Sequence, residues 1–267
     1  MFKKIRKWVI FLTLLSVLIV FFFPSEKVIE LGCANKLGKI GQDRCETSIA
    51  EAAENKEHDK VRKYIEIYAS SGHPKGQVGL GLLYERSEFG QKKDAQKALY
   101  WIEKSAKQDY AMGQRELGRL YKEGLIVPQD YTKAFELYKK AAEQGDADAQ
   151  MKLGFMYVKG YGTKQDYMQG NQWFKKAADQ NLAPAQHNLG VSYDLGLGVE
   201  QDYKIAFQWY EKAAKQDYIG ALYSVGNMYE QGHGVMKDSY KAKEYYQKAC
   251  NLNDYESCEA LKNINGL

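Results

Sequence analysis

Four cysteines are the residues of this 267-residue chain whose spacing most directly suggests chemistry. Cys33 and Cys45 lie near the start, Cys250 and Cys258 near the end, so an even number falls into two local pairs. That arrangement predicts bridges Cys33/Cys45 and Cys250/Cys258, with free buried thiols as the competing reading. A zinc site is disfavoured because no short C-x-x-C is present. The four histidines, His58, His73, His187 and His233, stand in unrelated contexts without an H-E-x-x-H, and each reads as solvated surface. No G-x-S-x-G or S-x-x-K occurs. The nearest approach, Gly190-Val191-Ser192-Tyr193-Asp194, belongs to a helical pattern and not to a strand-turn-helix elbow. Gly-x-Gly loops at Gly160/Gly162, Gly196/Gly198 and Gly232/Gly234 lack a following Lys-Ser/Thr and precede an aspartate that would repel phosphate. The expectation is a chain with no catalytic residue, no metal site and no cofactor.

The same glycines recur because the sequence repeats. Ala147 to Leu182 defines a unit that returns without gaps at 111–146, 183–218 and 219–254, and with one inserted residue at 74–110. Leu-Gly recurs at Leu80-Gly81, Leu117-Gly118, Leu153-Gly154 and Leu189-Gly190, softened to Val225-Gly226. A tyrosine follows three residues later, at Tyr84, Tyr121, Tyr157, Tyr193 and Tyr229. This is the buried stripe of a first helix. Glycine inside a helix costs about 1 kcal/mol against alanine, so a recurring one predicts a helix crossing too close for a Cβ. The aspartate after the loop, Asp130, Asp166, Asp202 or Asp238, reads as the N-cap of a second helix. That helix carries an aromatic pair such as Trp173-Phe174 or Trp209-Tyr210 and ends in Lys-Ala-Ala. In the first copy Ser87 replaces the loop glycine and the aspartate moves to Asp94. Each unit is a helical hairpin that must share its core with its neighbours.

The consensus A-x-A-x-x-x-L-G-x-x-Y, then G-x-G, D, A, W-Y and K-A-A, resembles the Sel-one-like repeat family, a branch of the tetratricopeptide-type solenoids, over residues 74–254. The resemblance implies an all-α fold, a right-handed α-solenoid of stacked helix-turn-helix repeats. The C-x7-C at Cys250 and Cys258 also resembles a cysteine-rich subgroup found in secreted bacterial proteins. There each repeat tends to carry the pair, whereas here one does.

Residues 1–7 form a basic head, Lys3, Lys4, Arg6 and Lys7, before an uncharged run from Trp8 to Phe23. As a helix this run spans about 24 Å, a little short of the roughly 30 Å hydrocarbon core, so a transmembrane anchor and a signal sequence both fit. The chain after Phe23 reads Pro-Ser-Glu-Lys without the small residues a signal peptidase needs, which favours an uncleaved anchor. Basic residues before the run place the repeats across the membrane, in a bacterium in the periplasm. The chain has 38 basic and 34 acidic residues for a net +4; removing the four basic head residues leaves 34 against 34. A neutral body argues against nucleic acid. Residues 24–46 read as a linker, 47–73 as an N-terminal helical cap and 255–267 as a C-terminal capping helix.

In stacked hairpins the first helices line the concave surface, and the fifth, sixth and ninth positions of each copy escape the consensus. They give Arg115, Glu116 and Arg119; Met151, Lys152 and Phe155; His187, Asn188 and Val191; and Tyr223, Ser224 and Asn227. Their mixed chemistry suits a protein partner. The expectation is a non-enzymatic, membrane-anchored adaptor. The resemblance sharpens it, since some exported members of the family look like immunity proteins that neutralise secreted effectors, including lipases delivered by type VI secretion. An envelope scaffold for cell-wall or signalling complexes is one alternative. A penicillin-binding or β-lactamase-like role, implied by the cysteine-rich subgroup, is another.

Overall fold

The computed structural model describes residues 25–34 and 36–265, among which there are fourteen α-helices and no strand. The apolar run 8–23 lies outside the described residues, and no described helix is long and apolar enough to cross a membrane.

Three helices precede the repeats: α1 (Ser25–Cys33), α2 (Gly38–Glu54) and α3 (His58–Ser70). The stretch expected as a linker is thus largely helical. Its helices are held by features that periodicity does not report. Cys33 and Cys45 are bridged, with Cα atoms 5.0 Å apart, and both are fully buried against Tyr64 and Tyr68. A Cβ on Gly32 would stand 2.4 Å from the Gly41 carbonyl oxygen, so paired glycines let α1 and α2 touch backbone to backbone.

The repeats supply ten helices: α4 (Pro74–Arg86), α5 (Ala95–Ala106), α6 (Ala111–Glu123), α7 (Tyr131–Glu143), α8 (Ala147–Lys159), α9 (Tyr167–Asp179), α10 (Ala183–Leu195), α11 (Tyr203–Ala214), α12 (Ile219–Gln231) and α13 (Ser239–Asn251). A final helix, α14 (Tyr255–Asn265), starts a sixth first helix. Each first helix stops on a left-handed residue: Ser87 at φ 62°, then Gly124, Gly160, Gly196 and Gly232. Each second helix starts on its aspartate, whose carboxylate accepts backbone N–H bonds such as that from Lys133 at 2.9 Å. The same aspartate donates its own N–H to the carbonyl of the repeat tyrosine, Asp130 to Tyr121 and Asp166 to Tyr157 at 2.9 Å. Those tyrosines are half-buried, not part of the buried stripe, and lysine ammonium groups lie over Tyr84, Tyr121 and Tyr229.

The helical glycines do what their cost implies. A Cβ on Gly81 would meet Ile102 at 2.6 Å, one on Gly154 would meet Phe174 at 2.7 Å, and one on Gly226 would meet Tyr246 at 2.8 Å. The second loop glycine has the same role toward the preceding copy, since a Cβ on Gly162 or Gly234 would stand 2.2 Å from the carbonyl oxygen of Tyr131 or Tyr203.

The chain divides into two compact units. Among the described residues, the first comprises those up to Leu120 with Gly124–Pro128, and the second comprises Tyr121–Glu123 and those from Gln129 to Asn265. The first buries Tyr64, Tyr68, Leu80, Leu83 and Ile102, and the second buries Phe174, Tyr210, Leu222, Val225 and Tyr246. In the second, Cys250 and Cys258 are bridged with Cα atoms 4.8 Å apart, tying α14 to α13.

Candidate partner-binding face

In the first unit the candidate face carries Arg115, Glu116 and Arg119 on α6, and they are committed to one another. Arg119 Nε donates to Glu116 Oε2 at 2.9 Å, its Nη2 reaches Glu85 on α4, and Arg115 Nε approaches the other Glu116 oxygen at 3.4 Å. Glu116 is only 8% exposed. Two arginines against two glutamates make a neutral, self-satisfied cluster. Removing either charge would strand the other in a poorly solvated place.

In the second unit the candidates are Met151, Lys152 and Phe155 on α8, His187, Asn188 and Val191 on α10, and Tyr223, Ser224 and Asn227 on α12. All are half-buried except Phe155, which is 39% exposed. Met151 and Val191 pack partly onto the cores beneath them. Phe155 meets the edge of Tyr161, at 6.2 Å between centroids, and the Lys159 ammonium at 5.7 Å.

His187 is not solvated surface. Its ring lies 5.3 Å from both Tyr210 and Tyr218, and burial pushes its imidazole below the ordinary value. His73 differs from expectation in the same way: it stacks on Tyr68 at 4.3 Å, and burial depresses it against the opposing pull of Glu46. His58 and His233 are exposed as expected. For His187 the cause is tertiary, because Tyr210 on α11 and Tyr218 just before α12 close over a position that helical phase alone leaves outside, whereas His73, just before α4, is covered locally by Tyr68 at the end of α3.

His187 Nε2 lies 3.4 Å from Ser224 Oγ, but the pair is not a nucleophile and its base. The serine hydroxyl donates to the Gly220 carbonyl at 2.9 Å, and Asp194 accepts from Tyr210 Oη at 3.2 Å instead of orienting the imidazole. Nucleophilic catalysis needs the base held by a third group, and here the carboxylate is spent elsewhere. No group of three or more metal-ligating side chains occurs among the described residues.

Acidic residues at the twelfth position were missed from sequence. Asp194 receives Tyr210, Glu230 receives Tyr246 at 2.8 Å, and Glu85 receives Arg119. Burial and the carboxylates together push the two phenols up. The available signal was an acid directly after the repeat tyrosine in three copies. A set of buried amides was also missed. Gln150 and Gln186 accept at 2.9 and 2.8 Å from Gln180 and Gln216, and Gln77 accepts at 2.8 Å from Gln108. The copies' closing glutamines reach further, to the Gly72 and Gly145 carbonyls.

The Sel1 repeat model matches at 74–110, 111–146, 147–182, 183–218 and 219–254, the five copies read above. The chain belongs to the Sel1 repeat family. Sel1 repeats are protein-interaction modules, typically non-catalytic scaffolds. Among solved structures, a Sel1 repeat protein from Oxalobacter formigenes is 28% identical with a TM-score of 0.72, over 82% of this chain and 89% of that one. A protective antigen of uropathogenic Escherichia coli strains, described as displaying an SLR fold, is 29% identical with a TM-score of 0.71. The alignment covers 77% of this chain but 44% of the antigen, so this chain spans less than half of that protein's length. An immunity protein from Pseudomonas aeruginosa, 24% identical over 73% of this chain and 74% of its own, shares the fold at a TM-score of 0.53. No curated protein matches the chain.

Proposed function

We propose that this Sel1 repeat chain is a non-enzymatic adaptor of the cell envelope that captures a protein partner on the first-helix face of its second unit. The observation that carries the reading is Phe155, an aromatic 39% exposed on a face of half-buried polar and apolar side chains. Aromatic anchors rimmed by polar groups are the pattern of protein contact sites. The proposal includes anchoring through residues 8–23 with the repeats in the periplasm, motivated by the basic head and the uncharged run behind it. It also takes the partner to be a secreted effector enzyme, as the family resemblance implies, and one similar structure, from Pseudomonas aeruginosa, is named an immunity protein. Inhibition then means covering the effector's active site, with no chemistry on this chain.

The test is a crosslinking pull-down of the full chain from host membranes, alongside the Lys152→Glu/Phe155→Glu variant. Arg119 is unsuitable for charge reversal because its guanidinium satisfies Glu85 and Glu116 inside the fold. A secreted enzyme captured by the native chain and lost by the variant is the expected result. Capture of resident envelope proteins, indifferent to both substitutions, would favour a scaffold that binds elsewhere.

A further inference from the structure

The first copy is the one whose loop breaks the repeat pattern, and two clefts of opposite character meet at that loop. An apolar groove of about 320 Å³ is walled by Ile49, Ala53, Val61, Ile65, Phe89 and Met112. A second cleft, of about 440 Å³, is lined by four cations, Arg62, Lys92, Lys93 and Lys97, with Asp94 as its only carboxylate and Tyr84 beside them. Both volumes fall in the range of small-molecule sites, roughly 300–1,000 Å³. The two share their wall. Val61 faces the groove and its neighbour Arg62 the cationic cleft, while Phe89 faces the groove and its neighbour Gly90 the cleft.

The loop's composition is not explained by folding. In the next three copies the residue before the capping aspartate is a glutamine whose side-chain amide ties the loop to a first-helix carbonyl: Gln129 to Lys122, Gln165 to Val158 and Gln201 to Asp194. The last copy has Lys237 at that position, and the first copy alone places two lysines there, Lys92 and Lys93. Both are exposed and without an acidic partner among the described residues. Arg62 and Lys97, by contrast, are paired with Asp59 and Asp94. Phe89 is held at φ 49°, a conformation costly for an aromatic residue, with its ring braced edge-on against His58 at 5.3 Å. The loop thus spends strain to aim an apolar ring one way while two uncompensated ammonium groups face the other.

We infer that the first unit binds a single amphiphile, with its acyl chain in the groove of Ile49, Ile65 and Phe89 and its anionic headgroup between Lys92, Lys93 and Arg62. Charge complementarity selects the headgroup: a neutral or cationic one leaves the lysines unanswered, and a free anion leaves the groove empty. An anionic phospholipid has both parts. This inference does not depend on the partner-capture reading, which concerns the second unit.

The test uses the full chain in phosphatidylcholine nanodiscs doped with phosphatidylglycerol or phosphatidylcholine that carries a diazirine on its acyl chain, with crosslinks mapped by mass spectrometry. The expected result is labelling at Ile49, Ile65, Phe89 or Met112 that is several-fold stronger from phosphatidylglycerol. It should fall to the phosphatidylcholine level in Lys92→Glu/Lys93→Glu, whose exposed positions leave the thermal melt unchanged. Equal labelling from both lipids, labelling confined to residues 8–23, or full competition by equimolar inorganic phosphate would each overturn it. Should the double variant melt early, Lys92→Gln/Lys93→Gln is read the same way.

Discussion

A Cβ placed on Gly190 would stand 2.4 Å from the ring of Tyr210, a side chain only 2% exposed and anchored through its hydroxyl to Asp194. The ring has nowhere to go. Alanine improves helix propensity by about 1 kcal/mol, whereas overpacking of this kind costs about 1–3 kcal/mol. Gly190→Ala is therefore expected to destabilise the second unit by up to about 2 kcal/mol in urea melts. Gly79→Ala is the control, because its Cβ would meet only Ile65 at an ordinary 3.6 Å; that variant should gain about 0.5–1 kcal/mol. Equal responses at the two sites would refute the close-crossing explanation.

Both bridges close short loops, with sequence separations of 12 and 8. Loop-closure arguments give each about 2–3 kcal/mol. Oxidised, denatured protein should show no free thiol and reduced protein four. Cys250→Ala/Cys258→Ala should release α14 before the rest of the second unit unfolds, measured as early hydrogen exchange over 255–265.

Asp202 accepts backbone N–H bonds from Lys204 at 2.9 Å and Ile205 at 3.0 Å, capping α11. Replacing such a cap by alanine costs about 1 kcal/mol. Asp202→Ala should lower the unfolding free energy read from urea melts by that amount, and Asp202→Asn or Asp202→Ser should restore most of it.

Stability should fall under mild acid. Burial holds His187 and His73 below the ordinary histidine value of 6.5, so the unfolded chain takes up protons before the folded one does. The neutral rings' contribution is complete above about pH 6.5 and is lost as pH drops toward their lower folded values. Glu46 adds a separate loss at lower pH. Burial raises its carboxyl, but Lys75 and the Tyr68 hydroxyl outweigh that and hold it below 4.5. His187→Asn should flatten the slope between pH 7 and 5, read from denaturation midpoints; an unchanged slope would assign the effect elsewhere.

The parts of the fold legible in the sequence are those encoded by local rules used five times over. Asp94 could be placed as a displaced cap, and Ser87 as a stand-in for glycine, because each changed against a fixed register. The structure bears both out, with Ser87 left-handed and Asp94 capping α5. The helix α1 and the first half of α2, ahead of the helical cap read from residue 47, were not legible. They occur once, and a bridge and a glycine pair specify them more than an apolar stripe does. The candidate face was legible in phase but not in commitment. Helical position puts Glu116 outward, and only the reach of Arg119 across to Glu85 shows that its charge is already satisfied. His187 is the converse case, exposed by phase and covered by Tyr210 and Tyr218.

The buried glutamines bear on how such a chain changes length. Each bonded pair, Gln77 with Gln108, Gln150 with Gln180 and Gln186 with Gln216, lies within one copy, and where Leu222 replaces the first partner in the last copy, Leu252 replaces the second. Lock and key are inherited together. A duplication or deletion that moves one whole copy carries a matched set, whereas a join between the first half of a glutamine copy and the second half of the last copy would set a buried amide such as that of Gln186 against a leucine. Changes of length counted in whole hairpins are the ones this packing accommodates.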